Sequence, residues 1–314
     1  MRPAYPADHL LSGIGHTPLV ALRKVVPAGA ARVVVKLESK NPSGSAKDRS
    51  ALSMIEGAEA AGKLGRGERL VEASGGSTGA ALAMICALKG YPCTIVISDA
   101  FADEKLKTIQ AFGAQVDIIP SLHGKATYPE LFEQMHARVA ELGCLPGHFY
   151  LDQMHNPDNP RAYRAMADEI LAQTGGQVDA FTSTVGSGGC FSGTAGRLKE
   201  VLPGVRAIAV EPAAYRHISG GPKGVHRIDG VGDGPPGVLF RYDLVDDIEA
   251  VTDAEAYAMA RRLAREEGVF GGKSAAANVV AAIRVAQLLG EGRTVATVIC
   301  DSGFKYLSSD LFVI

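Results

Sequence analysis

A lysine that follows a loop of small residues and opens a helix can act as a nucleophile. Lys47 stands in this way in "NPSGSAKDRS", between the β-branched run "ARVVVKLE" and a stretch with helical apolar spacing. It is either a solvated first-turn side chain or a chemical group, and the rest of the chain must decide. Two further loops carry the groups that bind anions. "VEASGGSTGAALAM" sets Ser74, Gly75, Gly76, Ser77 and Thr78 before an Ala-rich helix. "STVGSGGCFSGTAGRLKE" sets Gly186, Ser187, Gly188, Gly189 and Cys190 before another. Glycines and hydroxyls at a helix start expose backbone N–H groups to a carboxylate or phosphate. "VICDSGFKYLSS" ends a last strand with Ser302 and Gly303.

The second loop is not a dinucleotide fingerprint. Glu211 ends the next strand, where a ribose-binding acid belongs, but reading GxGxxG from Gly186 puts Phe191 at the third glycine. A Walker A loop fails too, because no Gly-Lys-Ser/Thr follows at its spacing. The ligand that fits is a compact monophosphate. With a lysine and a second anion-binding loop, this is the set of parts a pyridoxal phosphate enzyme requires: an amine for the Schiff base, a phosphate cradle and a site for an amino acid carboxylate.

The elements that must position these loops alternate. "RVVVKLE", "ERLVEAS", "CTIVIS", "AQVDIIP", "VDAFTSTVG", "VRAIAVEP" and "TVATVICDS" read as strands separated by helical runs, which predicts an α/β fold with two mostly parallel sheets flanked by helices. A boundary is expected near "GCLPGHFYLDQMHNPDNP". At 314 residues, 46% hydrophobic and 21% charged, the chain can bury a large core. Its net charge of -2 argues against nucleic acid or an anionic membrane as partner. The opening residues lack a signal-peptide core and no apolar run approaches ~20 residues, so the expected location is the cytoplasm. Five scattered cysteines, none in CxxC, suggest neither a disulfide framework nor a metal site.

From "IGHTPLV" to "DSGFKYLSS" the chain resembles the cysteine synthase family, β-substituted alanine synthases of pyridoxal phosphate fold type II with a tryptophan-synthase-β-like fold, related to cystathionine β-synthase catalytic cores. The resemblance implies pyridoxal 5'-phosphate on Lys47, a phosphate loop at Gly186 to Cys190, a substrate loop at Ser74 to Thr78, and Gln153 of "DQMHNPDNP" at the substrate carboxylate. It also implies Ser302 at the pyridine nitrogen, where a neutral hydroxyl leaves the ring a weaker electron sink and disfavours transamination. A smaller domain over 38–148 and a larger one from 1–37 and 149–314 follow, as does a homodimer. The implied reaction is β-replacement on an O-activated serine by sulfide or another nucleophile. The alternatives are β-elimination or deamination, and a noncatalytic relative.

Three positions depart from the family pattern. Ser77 replaces the asparagine that contacts the cofactor's phenolic oxygen, and Cys190 replaces a phosphate-loop threonine and reads first as a buried structural thiol rather than a phosphate ligand. "FGGKSAAAN" puts Lys273 near the expected ring, either to bind a second acidic group or as a structural ion pair. Gly232 and Asp233 of "GVGDGPPG" lie on a loop that approaches the substrate in relatives, or else form a plain turn.

Overall fold

The computed structural model describes residues 5–124, 128–232 and 236–313. Among these residues ten strands form two sheets. The six-stranded sheet has β1 (Leu19–Ala21), β2 (Arg32–Lys36), β7 (Ala180–Thr184), β8 (Arg206–Pro212), β9 (Asp247–Val251) and β10 (Thr294–Val298) in the order β1-β2-β10-β7-β8-β9. Only β1 runs antiparallel to its neighbour. The four-stranded sheet is parallel throughout, in the order β5-β4-β3-β6, with β3 (Arg69–Ala73), β4 (Cys93–Ser98), β5 (Gln115–Ile119) and β6 (His148–Tyr150).

Every residue of β4, β7 and β10 is buried, as central parallel strands covered on both faces must be. Helices α5 (Asp158–Thr174) and α6 (Gly189–Val201) cover one face of the larger sheet. On the other, α7 (Asp253–Arg262) and α8 (Lys273–Leu289) pack, and α8 is buried almost all round through its alanine and valine run. Around the smaller sheet α1 (Lys47–Ala60), α2 (Ser77–Lys89), α3 (Asp103–Ala111) and α4 (Pro129–Gly143) contribute to a separate core. The seven strands read from the sequence are all present. The three it did not show, β1, β6 and β9, are half-buried or short and lack a strong apolar run. The Gly- and Pro-rich stretch at 143–160 contains β6 and then leads into α5, where the chain returns to the larger sheet.

Two buried polar devices hold the parts that matter for the site. Where β7 and β10 diverge, Asn278 of α8 accepts from the Thr184 amide at 2.6 Å and donates to the Val298 carbonyl at 2.9 Å. It thereby supplies bonds that the strands no longer give each other. Beneath the start of α1, Arg49 bonds both oxygens of Glu38 (2.7 and 2.9 Å) and also Glu169, which meets Lys36 at 2.6 Å. Asp48 accepts from the amide and hydroxyl of Ser43. Thus the helix mouth carrying Lys47 is tied to β2 and α5 through the mutually paired charges of Arg49, Glu38, Glu169 and Lys36. No helix among the described residues is long and apolar enough to cross a membrane.

Candidate active site

The three loops singled out above open onto one cavity between the sheets, which holds about 200 Å³ of water-accessible space. Lys47, the first residue of α1, is half-buried on its wall, and its amide donates to Ser45 Oγ at 3.3 Å. Opposite runs the turn from β3 into α2. Ser74 Oγ accepts from the amides of Gly76 (3.1 Å) and Gly79 (2.9 Å), which caps the helix and shapes the loop. Gly76 has φ 144°, and a Cβ there would stand 2.3 Å from the Lys105 side chain. Gly75, Ser77 and Thr78 complete this wall. Gln153 also lines it, with its side-chain amide donating to the Ala73 carbonyl at 2.7 Å.

The third loop leaves β7 and turns into α6. Gly188 has φ +85°, and an added Cβ would lie 2.7 Å from the Phe240 backbone; at Gly186 it would lie 2.5 Å from the Gly230 carbonyl. Only glycine fits, because the loop packs directly on the Gly230 and Phe240 backbones; the loop also lines the cavity, and the first N–H groups of α6 are unused by the helix itself. Asn159 donates to Ser187 Oγ (3.2 Å) and to the Gln153 carbonyl (2.8 Å), linking cradle to carboxylate turn. Gly186, Ser187, Gly188 and Cys190 are on the wall, whereas Gly189 is buried beside it against Asn159. Burial pushes the Cys190 thiol up to about 11, so it is a neutral thiol at ordinary pH. Glu211, the rival ribose acid, turns away and accepts from the Ile218 amide (2.7 Å) and from Ser219.

Several expectations need correction. Ser302 is not on this cavity's wall. Its hydroxyl caps the short turn Gly303–Tyr306 by accepting from the Phe304 amide (3.3 Å), and it lines a different cleft with Gly44 and Lys305. The wall is instead built by its neighbour Asp301 and by Ser274 in the first turn of α8. Asp301 bridges to Ser45 and Ser302 to Gly271, and in extended chain two adjacent residues face opposite ways. A slip of one residue reverses the assignment. Lys273 stands behind the wall, paired at 3.0 Å with Asp229. Gly232 packs on His226 and Pro212 beyond the wall residues Asp229, Gly230 and Val231. Asp233 lies outside the described residues.

Other wall residues carried no signal in the sequence: Lys105, His136, Asp229, Asp301 and Tyr306, together with Phe101 and Phe132. They come from α3, α4 and separate loops; Asp301 and Tyr306 fall within "VICDSGFKYLSS", where only Ser302 and Gly303 were singled out, and the others belong to no quoted motif. Ser274 sits next to Lys273 in the same way that Asp301 sits next to Ser302. Burial also acts on titrating groups near the site. The buried Glu72 carboxyl, which accepts from the Ala73 (2.9 Å) and Gln153 (3.0 Å) amides, is pushed up to about 8. Two lysines hold Asp229 down to about 2 against the opposing effect of burial.

A lysine at a helix mouth, a cradle from which any Cβ is excluded and a capped hydroxyl loop around one cavity define a pyridoxal phosphate site on an α/β fold. The chain belongs to the pyridoxal-phosphate dependent enzyme family, whose model matches residues 10–301. It is 40% identical over 310 residues to the cysteine synthase of Staphylococcus aureus strain Mu50, covering 98% of this chain and 97% of that one. Among solved structures, O-ureido-L-serine synthase superposes with TM-score 0.91 at 35% identity, covering 99% of this chain and 96% of that one. The O-acetylserine dependent cystathionine beta-synthase of Helicobacter pylori superposes with TM-score 0.88 at 32% identity, over 99% and 100% of the two chains.

Proposed function

We propose that this enzyme replaces the β-substituent of an O-activated serine with sulfide or a related nucleophile, as a cysteine synthase does. The observation that carries this reading is the convergence of Lys47, the Ser74 to Thr78 loop and the glycine cradle on a single cavity. The residues present fit the cofactor, because Gly186, Ser187, Gly188 and Cys190 line the cavity at the start of α6, where the helix leaves backbone N–H groups and hydroxyls free for a phosphate. Bound there, pyridoxal phosphate supplies an aldehyde for an amine and a ring that withdraws electron density from the substrate α-carbon.

The chain's own residues do the rest. Lys47 Nζ would hold the cofactor and, freed when the amino acid binds, would take the α-proton. The α-carboxylate sits on the N-terminus of α2, with hydroxyls from Ser74 and Thr78 and the Gln153 amide beside it. Ser274 presents the neutral hydroxyl to the ring nitrogen. Two contacts support Ser274 over Asp301 in this role. The Asp301 carboxylate is drawn toward the substrate loop, with Ser77 Oγ at 3.4 Å, and accepts from the Tyr306 hydroxyl at 2.7 Å. The acetate or other substituent leaves from the β-carbon with its bonding electron pair, the nucleophile forms its bond to that carbon, and Lys47 returns the proton to the α-carbon. The unit over 38–148 closes over the bound amino acid and excludes water, and the working form is a homodimer.

The test uses O-activated serine with sulfide. Purified protein given O-acetyl-L-serine and sulfide should release cysteine and acetate in equal amounts. Pyruvate and ammonia as the main products would replace this reading with β-elimination. Borohydride should fix the cofactor to the peptide containing Lys47, and label on another lysine would remove Lys47 from its role. Sedimentation of the holoenzyme as a monomer would refute the dimer.

A further inference from the structure

The cavity carries a charge that the chemistry above does not use. Lys105 of α3 and Asp229 of the loop after β8 stand on its wall, and Lys273, at the start of α8, lies behind them. Both ammonium groups reach the same carboxylate, each at 3.0 Å. The lysine side chains are 5% and 9% exposed. Lys273 Nζ sits 5.5 Å from the Tyr257 ring centroid and 5.7 Å from that of Tyr306, while Lys105 Nζ sits 4.8 Å from Tyr306 and 5.9 Å from Phe101. Two buried cations thus share one acid, which leaves one charge short of a counter-ion.

Asp301 is the other acid on this wall, and it does not fill the gap. Its Oδ2 accepts from the Tyr306 hydroxyl, and its Oδ1 is buried with no partner among the described residues. The hydroxyls of Ser77 and Tyr306 are its hydrogen-bond donors, while both ammonium groups turn to Asp229, so Asp301 gives neither lysine a direct ion pair among the described residues. The Lys105 stem runs against Gly76, at the place where a Cβ would stand 2.3 Å from Lys105 Cδ. Its ammonium is therefore within one side chain of the loop assigned to the α-carboxylate.

We propose that Lys105 is the specificity-determining residue of an anion subsite, which takes a carboxylate or phosphate on one of the two reactants in addition to the α-carboxylate, with Lys273 holding Asp229 from behind. This rests on the substrate-loop assignment above. It moves the second-anion role expected of Lys273 onto the lysine that lines the cavity.

The experiment compares acidic and neutral reactants on the holoenzyme. O-phospho-L-serine against O-acetyl-L-serine, each with sulfide, tests an anion on the amino acid; mercaptoacetate against 2-mercaptoethanol, each with O-acetyl-L-serine, tests one on the nucleophile. In one arm Lys105→Met should lower the acidic-to-neutral ratio of kcat/KM by about ten- to a hundredfold, the range for a lost charge-assisted hydrogen bond. Lys105→Arg should keep that ratio within a few fold. Asp229→Asn, which frees Lys105 from its competitor, should raise it. Equal losses for acidic and neutral partners in both arms, or a lower ratio in Asp229→Asn, would overturn the subsite. If wild type turns over none of the four combinations, the replacement reading fails separately. The subsite is then judged by calorimetry with L-glutamate and L-glutamine, where an unchanged ratio of Kd values in Lys105→Met refutes it.

Discussion

Glu72 makes the stability of this protein depend on pH in a direction opposite to the usual carboxylate. It lies at the end of β3, is fully buried, and each of its oxygens accepts one backbone amide, from Ala73 and from Gln153. No cation pairs with it in these contacts, so desolvation dominates and lifts it from 4.5 to about 8. The folded-state value is therefore above the unfolded one. The neutral acid stabilises the fold fully below about 4.5, and that contribution is lost as pH rises through about 8. At about 1.4 kcal/mol per pH unit the whole gap amounts to just under 5 kcal/mol. Water penetration and backbone relaxation reduce it, and we expect a loss of about 2 to 4 kcal/mol between pH 5 and pH 9. Glu72→Gln keeps the shape and cannot ionise. Its amide group meets one of the two backbone N–H donors, a constant cost of about 1 to 3 kcal/mol. Urea midpoints for both proteins across this range should give a difference curve that moves steadily in favour of the variant. Parallel curves would show that the carboxylate is solvated and refute the desolvation argument. Because the same side chain fixes Gln153 beside the carboxylate loop, cysteine formation by the variant should also hold up better on the alkaline side.

Three more outcomes follow from the same geometry. Gly188→Ala forces φ +85° on an L-residue and a Cβ against the Phe240 backbone, and should cost about 1 to 3 kcal/mol in Tm-derived stability and speed cofactor loss on dialysis. Unaltered cofactor retention would mean that the cradle does not hold the phosphate. Arg49→Met leaves Glu38 buried without its cation, and chemical denaturation should show a loss of about 3 to 5 kcal/mol; a loss below ~1 kcal/mol would place the network in water. Cys190 and Cys300, with thiols pushed up to about 11 and about 12 by burial, should resist iodoacetamide at pH 8 while exposed Cys144 reacts, as read by peptide mass spectrometry. Alkylation of Cys190 before Cys144 would contradict the raised thiol of this half-buried cavity-wall residue.

What the amino-acid sequence determined by itself was local. Buried parallel strands announce themselves as β-branched runs, and loops that bind anions announce themselves as glycines and hydroxyls before a helix, because backbone conformation and capping are decided within a few residues. Lys47, Ser74 to Thr78 and the 186–190 loop could therefore be found together with the two-sheet α/β fold. Only the tertiary structure decided which side of the chain faces the cavity. At the end of β10 one residue of register separates Asp301 on the wall from Ser302 in another cleft, and both are polar, so no pattern of hydrophobicity distinguishes them. Ser274 and Lys273 likewise divide at the first turn of α8, one to the cavity and one to Asp229. The meeting of Lys105 with Asp229 joins residues 124 apart in sequence. That contact exists because α3 packs beside the loop after β8, and charges brought together by packing leave no periodic trace in either segment.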